Sequence, residues 1–453
     1  MQNNLDKIAS CDDGSIKIIF KVLSAFNRKT FYISAQEQDV FPVLIQFYSA
    51  LDKSHIKFTS PNKAELNSLF KRTPELLAGF REFSAHTSKG SKSNDIWEIY
   101  DFIRKLPTGS NFVLSPVRQE ISDEEYQTIQ LRLHSLDTGI PFDELVREYH
   151  ERSDPLLARY DVLACYCVDE DNIYIGHANV AERKCRLCGL SMPDVTFAKR
   201  AHAISELLGN KSIVLYDECD VCNSTKVNKL ENSLAAYFDA LRPLLGVRGK
   251  NGVPTSKEEG VVRIDSSPQG EANITIISRE DSRFEIKTEG LAETRFHVHT
   301  PALVIEDIYR ILSKFAISVL PTECFDYTEF GRLRKWILGG DRMTDRLPII
   351  AFSVDGNADP RHPQIIVYKR KKTAENNTPL YLCDFFAVAN RFLFELPLIE
   401  DSIVMKSEED WKRLFNCIPV VSRSYDWSFE QFDCSEQTRI DQTIIFKVKS
   451  NSN

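Results

Sequence analysis

The sequence predicts an α+β multidomain chain in which a central cysteine-bearing module, 156–257, separates an N-terminal α/β domain, 1–155, from a C-terminal α+β domain, 258–453. Three observations carry this. The 453 residues are about three times the usual domain length, so two or three cores are expected. Segments of strand and helix character are interleaved at both ends of the chain. Four of the eleven cysteines gather as two Cys-x-x-Cys pairs in one basic stretch, while the other seven are scattered.

Apolar and charged fractions of 42% and 27% are those of ordinary globular protein, so disorder is not expected. No apolar run approaches the length of about eighteen residues that a membrane span needs. The opening MQNNLDKIASCDDGS lacks the apolar core of a signal peptide. A cytoplasmic protein with no membrane partner is therefore expected. Cys11, Cys165, Cys167, Cys324, Cys383, Cys417 and Cys434 form no disulfide framework, and most of them read as small buried apolar residues. The net charge of −8 argues against nucleic acid as a partner only on average. From Arg183 to Lys257, twelve Lys/Arg face seven Asp/Glu, or +5, which leaves −13 elsewhere. Such a basic island is what contacts phosphates.

In the first domain, SIKIIFKVLSAF, KTFYISA, HIKFTS and NFVLSP carry the β-branched and aromatic residues of strands. VFPVLIQFYSAL, NDIWEIYDFIRKL and DEEYQTIQLRLHSL have helical apolar spacing. SAHTSKGSKSN, 84–94, has the composition of an exposed loop, and HERSDP, 150–155, ends on a helix-terminating Asp-Pro that sets the first boundary.

The central segment opens with DVLACYCVD and NIYIGHANV, read as a hairpin across DEDN. Beyond the cysteines, STKVNKLENSLAAYFDALRPLL has a helical stripe of Val227, Leu230, Leu234, Phe238 and Leu241. GVRGKNGVPTSKEEG, with four glycines and a proline, reads as a linker and sets the second boundary. The third domain starts with the strand candidates GVVRIDS, NITIISR and RFEIKT. TPALVIEDIYRILSKFAISVLP follows as one helix with Thr300 as cap and Pro301 at the first helical position. LPIIAFSV, PQIIVYKRK and LYLCDFFAV are further strands, and the Phe-rich CDFFAVANRFLFELPL is read as core.

The chemistry is concentrated in KCRLCG and DECDVCNS. Each Cys-x-x-Cys puts two sulfurs on one tight turn, so Cys185, Cys188, Cys219 and Cys222 can supply four thiolates to one tetrahedral Zn2+. A redox Cys-x-x-Cys needs only one pair. The pairs are about thirty residues apart, wider than the 15 to 20 of a simple ribbon. The gap holds a strand near VTFAKRAH, a wide loop through SELLGNKS and a second strand, SIVLYDE, before the helix. Strand, loop, strand and helix, with His202 at the end of the first strand, form a ββα-metal arrangement.

KCRLC, FAKRAHAISELLGN and ECDVCNS together resemble the HNH (His-Me finger) endonucleases, in the branch braced by two zinc knuckles. The resemblance covers about residues 180–255, including GVRGKNGVPT. The regions on either side match no motif, although the helix ending ILSKFAISVLP looks like a segment found after this module in related proteins. The resemblance implies that His202 is the general base that takes a proton from the attacking water, for which it must be neutral. It implies that one Mg2+ or Mn2+ polarises the scissile phosphate, and that Asn223 faces that cation. Asn223 can equally cap the helix. Asn210, in the Gly-Asn of LLGN, positions the histidine loop in this reading and is otherwise a left-handed turn residue. One departure stands out. Ala201 occupies the place where most of the family carries a metal-binding side chain, so another carboxylate has to serve. Glu206, Asp217, Glu218 and Glu231 are the candidates, with Glu218 placed first because it ends a strand beside the knuckle.

The resemblance thus implies a metal-dependent endonuclease acting on DNA, in bacteria often an effector of defence against phage or foreign DNA. The flanking domains would set targeting, regulation or self-association. The alternative is a non-catalytic zinc module that binds nucleic acid or protein, and a third reading puts an active site in the flanks. HVH, 297–299, places two imidazoles on one strand face without a third ligand nearby in sequence, and YKRKKT, 368–373, reads as a solvated hairpin end.

Overall fold

The computed structural model describes residues 15–25, 28–36, 40–60, 63–87, 95–117, 122–168, 172–258, 262–266, 272–276, 284–287, 292–340, 346–355, 359–400, 402–418 and 425–448. Cys11, 88–94 and 169–171 lie outside them. The chain divides into two compact units, 1–151 and 152–453. Among the described residues no helix is long and apolar enough to cross a membrane.

In the first unit, β1 (Ser15–Ser24) and β2 (Arg28–Gln36) form a hairpin, followed by α1 (Val40–Asp52). Next come β3 (Ile56–Ser60) paired with β4 (Lys63–Leu66), then β5 (Leu69–Lys71) and α2 (Pro74–Thr87). Helix α3 (Asp95–Lys105) and β6 (Asn111–Val117) follow, and then α4 (Asp123–Thr138), whose Ser122 and Glu125 close a capping box. The main sheet runs β2-β1-β6-β5 with every pair antiparallel, so this unit is α+β and corrects the α/β expectation. The cause is the short β1–β2 connection, which can join antiparallel neighbours only. Phe20, Phe47, Phe80, Ile99 and Phe112 fill its core. Ser84 to Thr87, expected in a loop, close α2, because Ser84 is buried and its hydroxyl donates to the Phe80 carbonyl.

Helix α5 (Phe142–Arg159) keeps Pro155 inside it, so the Asp-Pro of HERSDP does not end the helix. Leu156 and Tyr160, buried just beyond, hold its end. The second unit is built on a six-stranded antiparallel sheet that draws strands from the whole stretch, in the order β21 (Ser428–Gln431), β17 (Ile349–Val354), β20 (Asn390–Glu395), β19 (Tyr381–Ala387), β18 (Gln364–Arg370) and β7 (Tyr160–Cys167). In chain order, β7 (Tyr160–Cys167), β8 (Ile173–Ile175), β9 (Ala201–His202) and β10 (Ile213–Leu215) lead to α6 (Asn228–Tyr237) and α7 (Leu241–Leu244). Strands β7 and β8 belong to different sheets and do not form the expected hairpin: β7 pairs with β18, and β8 pairs with β10.

Strands β11 (Ser256–Glu258), β12 (Val262–Ser266) and β13 (Ala272–Ile276) make one small sheet. Strands β14 (Phe284–Lys287), β15 (Ala292–His299) and the late β23 (Asp441–Val448) make another. β16 (Leu303–Val304) precedes α8 (Ile305–Ser318) and pairs with β22 (Gln437–Thr438). Helix α8 therefore starts four residues after Pro301. Thr300 is not its cap; its Oγ1 accepts from Ile440 N at 2.9 Å. Helix α9 (Gly331–Ile337), β17 (Ile349–Val354), β18 (Gln364–Arg370), β19 (Tyr381–Ala387), β20 (Asn390–Glu395), α10 (Glu408–Cys417) and β21 (Ser428–Gln431) complete the unit.

The two faces of the large sheet explain the Phe-rich segment. Tyr381, Cys383, Phe385, Phe392 and Phe394 face α8, in one core with Leu187, Ile204, Leu208 and Leu234 of the cysteine module. Leu382 and Leu393 face the other way, against Trp411 and Leu414 of α10. This is the alternation that strand geometry dictates. The glycine-rich stretch after α7 is not a free connector. Gly249 and Gly252 exchange backbone hydrogen bonds in a tight turn, and Gly249 packs against Leu207 and Glu206.

Candidate metal centre and histidine site

The first knuckle is shaped by its own backbone. Cys185 N donates to Leu190 O and Gly189 N to Cys185 O, both at 2.8 Å. Gly189 has φ +78°, and a Cβ there would meet the Arg334 guanidinium, so only glycine fits. The second knuckle opens the helix that continues into α6, with Cys222 in a π-helical turn, 222–227. Arg186 N donates to Asp217 O at 2.8 Å and ties one knuckle to the other.

The four sulfurs lie within 4.8 Å of one another, and Cys188 Sγ is 3.7 Å from Cys219 Sγ. Tetrahedral zinc at about 2.3 Å from each thiolate requires sulfurs about 3.8 Å apart. Cys219 N and Cys222 N point at Cys185 Sγ and Cys219 Sγ, each at 3.5 Å. Backbone N–H groups turned toward sulfur stabilise thiolates, so the donor set fits a zinc ion. It is the only such cluster among the described residues.

Around it, side chains far apart in sequence lock the module to the sheet unit. Arg186, between two of the cysteines, is buried and its Nη1 donates to the carbonyls of Ile317, Ser318 and Leu320 at the end of α8. Arg334 Nε donates to the Arg186 carbonyl at 2.6 Å. Asp217 is buried, accepting from His177 N and meeting His177 Nδ1, both at 3.1 Å. Asp220 accepts from Thr196 Oγ1, Ala198 N and Lys199 N, fixing the approach to β9.

His202 ends β9, with Val214 opposite it on β10. Its side chain is 14% exposed, and Nε2 lies 3.8 Å from Glu206 Oε2. That is longer than a hydrogen bond. Nδ1 is buried without a partner among the described residues. Both ring nitrogens are thus uncommitted. Burial holds the His202 pKa below the ordinary histidine value; Glu206 pulls it up, and Arg200, Lys314 and Lys250 push it down. A neutral ring results. The backbone on either side is held by Lys314 Nζ, which donates to His202 O at 2.8 Å and Ala203 O at 3.4 Å.

The carboxylate facing His202 is Glu206, not Glu218. Glu218 Oε2 is 2.9 Å from Lys314 Nζ, with both side chains almost wholly buried. Burial pushes the Glu218 carboxyl up and Lys314 draws it back down. Asp217 is committed to His177, and Glu231 is half-buried on α6. Asn223 is half-buried in the π-helical turn and is no N-cap, since the helix has already begun and its first residues have no side-chain cap. Asn210 is buried and spends its amide on the loop: Nδ2 donates to Ile204 O and Ile213 O, and Oδ1 accepts from Ser212 N and Ile213 N. It holds the 203–213 loop closed behind His202.

The weaker sequence signals resolve into local pairs. His299 lies 3.1 Å from Glu258 and 3.0 Å from Asp441, while His297 meets Thr443, so the two imidazoles do not share a ligand. In YKRKKT, the run leaves β18 after Arg370 and enters the hairpin connection to β19, where Lys372 and Thr373 are exposed as expected; Tyr368 and Arg370 are buried in the strand, Lys369 pairs with Glu329 and Lys371 with Asp161. Sequence reasoning missed Arg186, Lys314 and the His177–Asp217 pair, each of which acts across 40 residues or more. No protein-family model, no curated protein and no solved structure matches this chain.

Proposed function

We propose that this chain is a metal-dependent endonuclease of the HNH type, hydrolysing phosphodiester bonds in DNA, with His202 as general base. The supporting observation is the state of that imidazole. It stands at the end of a strand–loop–strand–helix frame braced by four thiols, is kept neutral, and has neither nitrogen committed. A neutral imidazole with a free lone pair can take the proton of a water attacking phosphorus. Arg200 and Lys250, exposed and acting on the same ring, supply positive charge where a phosphate would approach.

A divalent cation, when bound, would polarise the scissile phosphate. Glu206 is the carboxylate able to hold it, with Asn223 as a candidate second ligand. One carboxylate is enough for Mg2+ that keeps its waters and takes phosphate oxygens. Lys314 holds the carbonyls of His202 and Ala203, and Asn210 holds the loop that follows them. A defence effector acting on phage or foreign DNA is the cellular setting this reading suggests.

The second reading, a non-catalytic zinc-braced binding module, draws support from Ala201 and from the confinement of Glu218 by Lys314. Plasmid nicking with Mg2+ or Mn2+ separates them. The nuclease reading expects nicking that His202→Ala abolishes while bound zinc is retained. Nicking that survives in His202→Ala, or DNA binding without cleavage in either metal, would falsify it.

A further inference from the structure

On the sheet that carries His202, an aromatic stack ends at the surface. Strands β8, β10 and β9 are neighbours, and Tyr174, Val214 and His202 lie directly opposite one another in one row across them. Side chains in such a row share a face of the sheet. Tyr216, two residues beyond Val214, has the same orientation, and its ring stacks on Tyr174 with centroids 5.2 Å apart at 13°. Arg183 lies over the Tyr216 ring at 4.4 Å. Three backbone carbonyls, of His177, Ala178 and Phe197, hold that guanidinium in place. The stack ends on Tyr174, which is 53% exposed.

Between the stack and the imidazole lies the buried Val214, and a guanidinium flanks the row. Arg200, next to β9, donates to Asn172 Oδ1 at the start of β8 and to Lys211 O, and it acts on His202. Lys211, whose carbonyl accepts from Arg200, is exposed, while the exposed Lys199 donates its Nζ to Ser224 Oγ. Tyr174 is two strands from His202, roughly 10 Å, a distance that a strand of a few nucleotides spans.

We propose that Tyr174, backed by Tyr216 and Arg183, is a base-stacking platform that seats a single-stranded nucleic acid with its backbone crossing Arg200 toward His202. The proposal rests on the nuclease reading and specifies its substrate class. A rigid ring with one open face takes an unpaired base of any identity, whereas a duplex hides its base faces. The positively charged border complements the phosphates of the same strand.

The test is fluorescence anisotropy with the full chain and no added divalent cation, using labelled twenty-nucleotide oligo(dT), oligo(rU) and a duplex of equal length. The parent is expected to bind a single strand more tightly than the duplex. Tyr174→Ala should weaken that binding by about five- to hundredfold and Tyr174→Leu similarly, while Tyr174→Phe stays within about twofold. The strand type that responds, dT or rU, identifies the natural class. Unchanged affinity in Tyr174→Ala and Tyr174→Leu, equal damage from Tyr174→Phe, or a preference for duplex overturns the platform. Zinc content and circular dichroism check that each variant folds, which the exposed position favours. Because binding is read, the two readings fail separately. Tyr174-dependent binding without cleavage keeps the platform and removes the nuclease, and cleavage untouched by Tyr174→Ala does the reverse.

Discussion

Replacing Arg186 by methionine should weaken unit 152–453 more than any other single change at the knuckles outside the cysteines. Arg186 Nη1 contacts three carbonyls at the end of α8, of Ile317, Ser318 and Leu320, at 3.1, 3.3 and 2.6 Å. One nitrogen carries two hydrogens, so these count as two bonds at most. Each is charge-assisted and sits at the negative end of a helix. At about 1.5 to 2 kcal/mol each, their loss comes to about 3 to 4 kcal/mol, with buried carbonyls left unpaired. For a unit of this size that lowers the melting temperature by roughly 5 °C. Lysine keeps the charge but not the fork, so Arg186→Lys should fall between. The assay is thermal unfolding followed by far-UV circular dichroism, with zinc release to a chromogenic chelator measured in parallel. Because Arg186 lies between two cysteines, zinc should leave faster in step with the lost stability. A shift below about 2 °C, or a lowered melt with zinc retention unchanged, would refute the coupling.

Two further outcomes follow from buried groups. Burial raises the pKa of Glu395 from 4.5 to about 8, against hydrogen bonds from Met405 N and Ser402 that lower it. Its protonated form is the stable one, so this stability is full below the ordinary carboxylate range and is lost as pH rises through about 8. Keeping it partly ionisable costs about 3 kcal/mol at pH 7 relative to pH 4, at 1.36 kcal/mol per unit. Glu395→Gln should therefore gain about that much in urea unfolding at pH 7 and almost nothing at pH 4; an equal difference at both would contradict the assignment. Under the proposed nuclease reading, the lowered pKa of His202 puts the acid limb of the nicking rate below 6.5. Glu206 is the group that raises it, so in the metal-free protein Glu206→Gln should move the His202 titration, followed by NMR, further toward acid. A limb at or above pH 6.5 in the parent runs against a desolvated base.

What could be read from the sequence was set by how local each determinant is. Cys185, Cys188, Cys219 and Cys222 were legible because a knuckle is made by four consecutive residues and its backbone, and the sulfurs do converge. The strand–loop–strand–helix order was legible for the same reason. The carboxylate ranking was not. Glu218 looked available because it ends a strand, but its charge is taken by Lys314, 96 positions away on α8, and nothing near Glu218 signals that. Pro301 has the look of a first helical residue, yet Leu303 and Val304 pair with Thr438 and Gln437 across more than 130 positions, and that bridge delays α8. The Tyr174–Tyr216 stack went unnoticed because a period of two within β8 says only that Tyr174 faces away from the core, not which ring from β10 lies beside it.

The same non-local contacts decide whether the cysteine-bearing segment is separable, as a boundary at 257 assumes. Ile308, Ile311, Leu312 and Phe315 of α8 are fully buried in the core that also holds Leu187, Ile204 and Leu208. At about 1.5 to 3 kcal/mol for each buried side chain, removing α8 forfeits about 6 to 12 kcal/mol, which is comparable to the whole stability of a domain. Fragment 156–257 also loses Lys314, and with it the clamp on the carbonyls of His202 and Ala203. Zinc alone can still close the two knuckles, since its binding energy is of the order of 10 kcal/mol or more. The expected fragment is therefore half-formed, with zinc bound, knuckle amides protected and the 203–213 loop open. Hydrogen exchange on 156–257 and on 152–453, both zinc-loaded, separates the cases. Equal protection of 203–213 in the two would mean that the histidine loop is held by its own Asn210 network and the zinc alone. Loss of that protection in the shorter fragment means that α8 is part of the site.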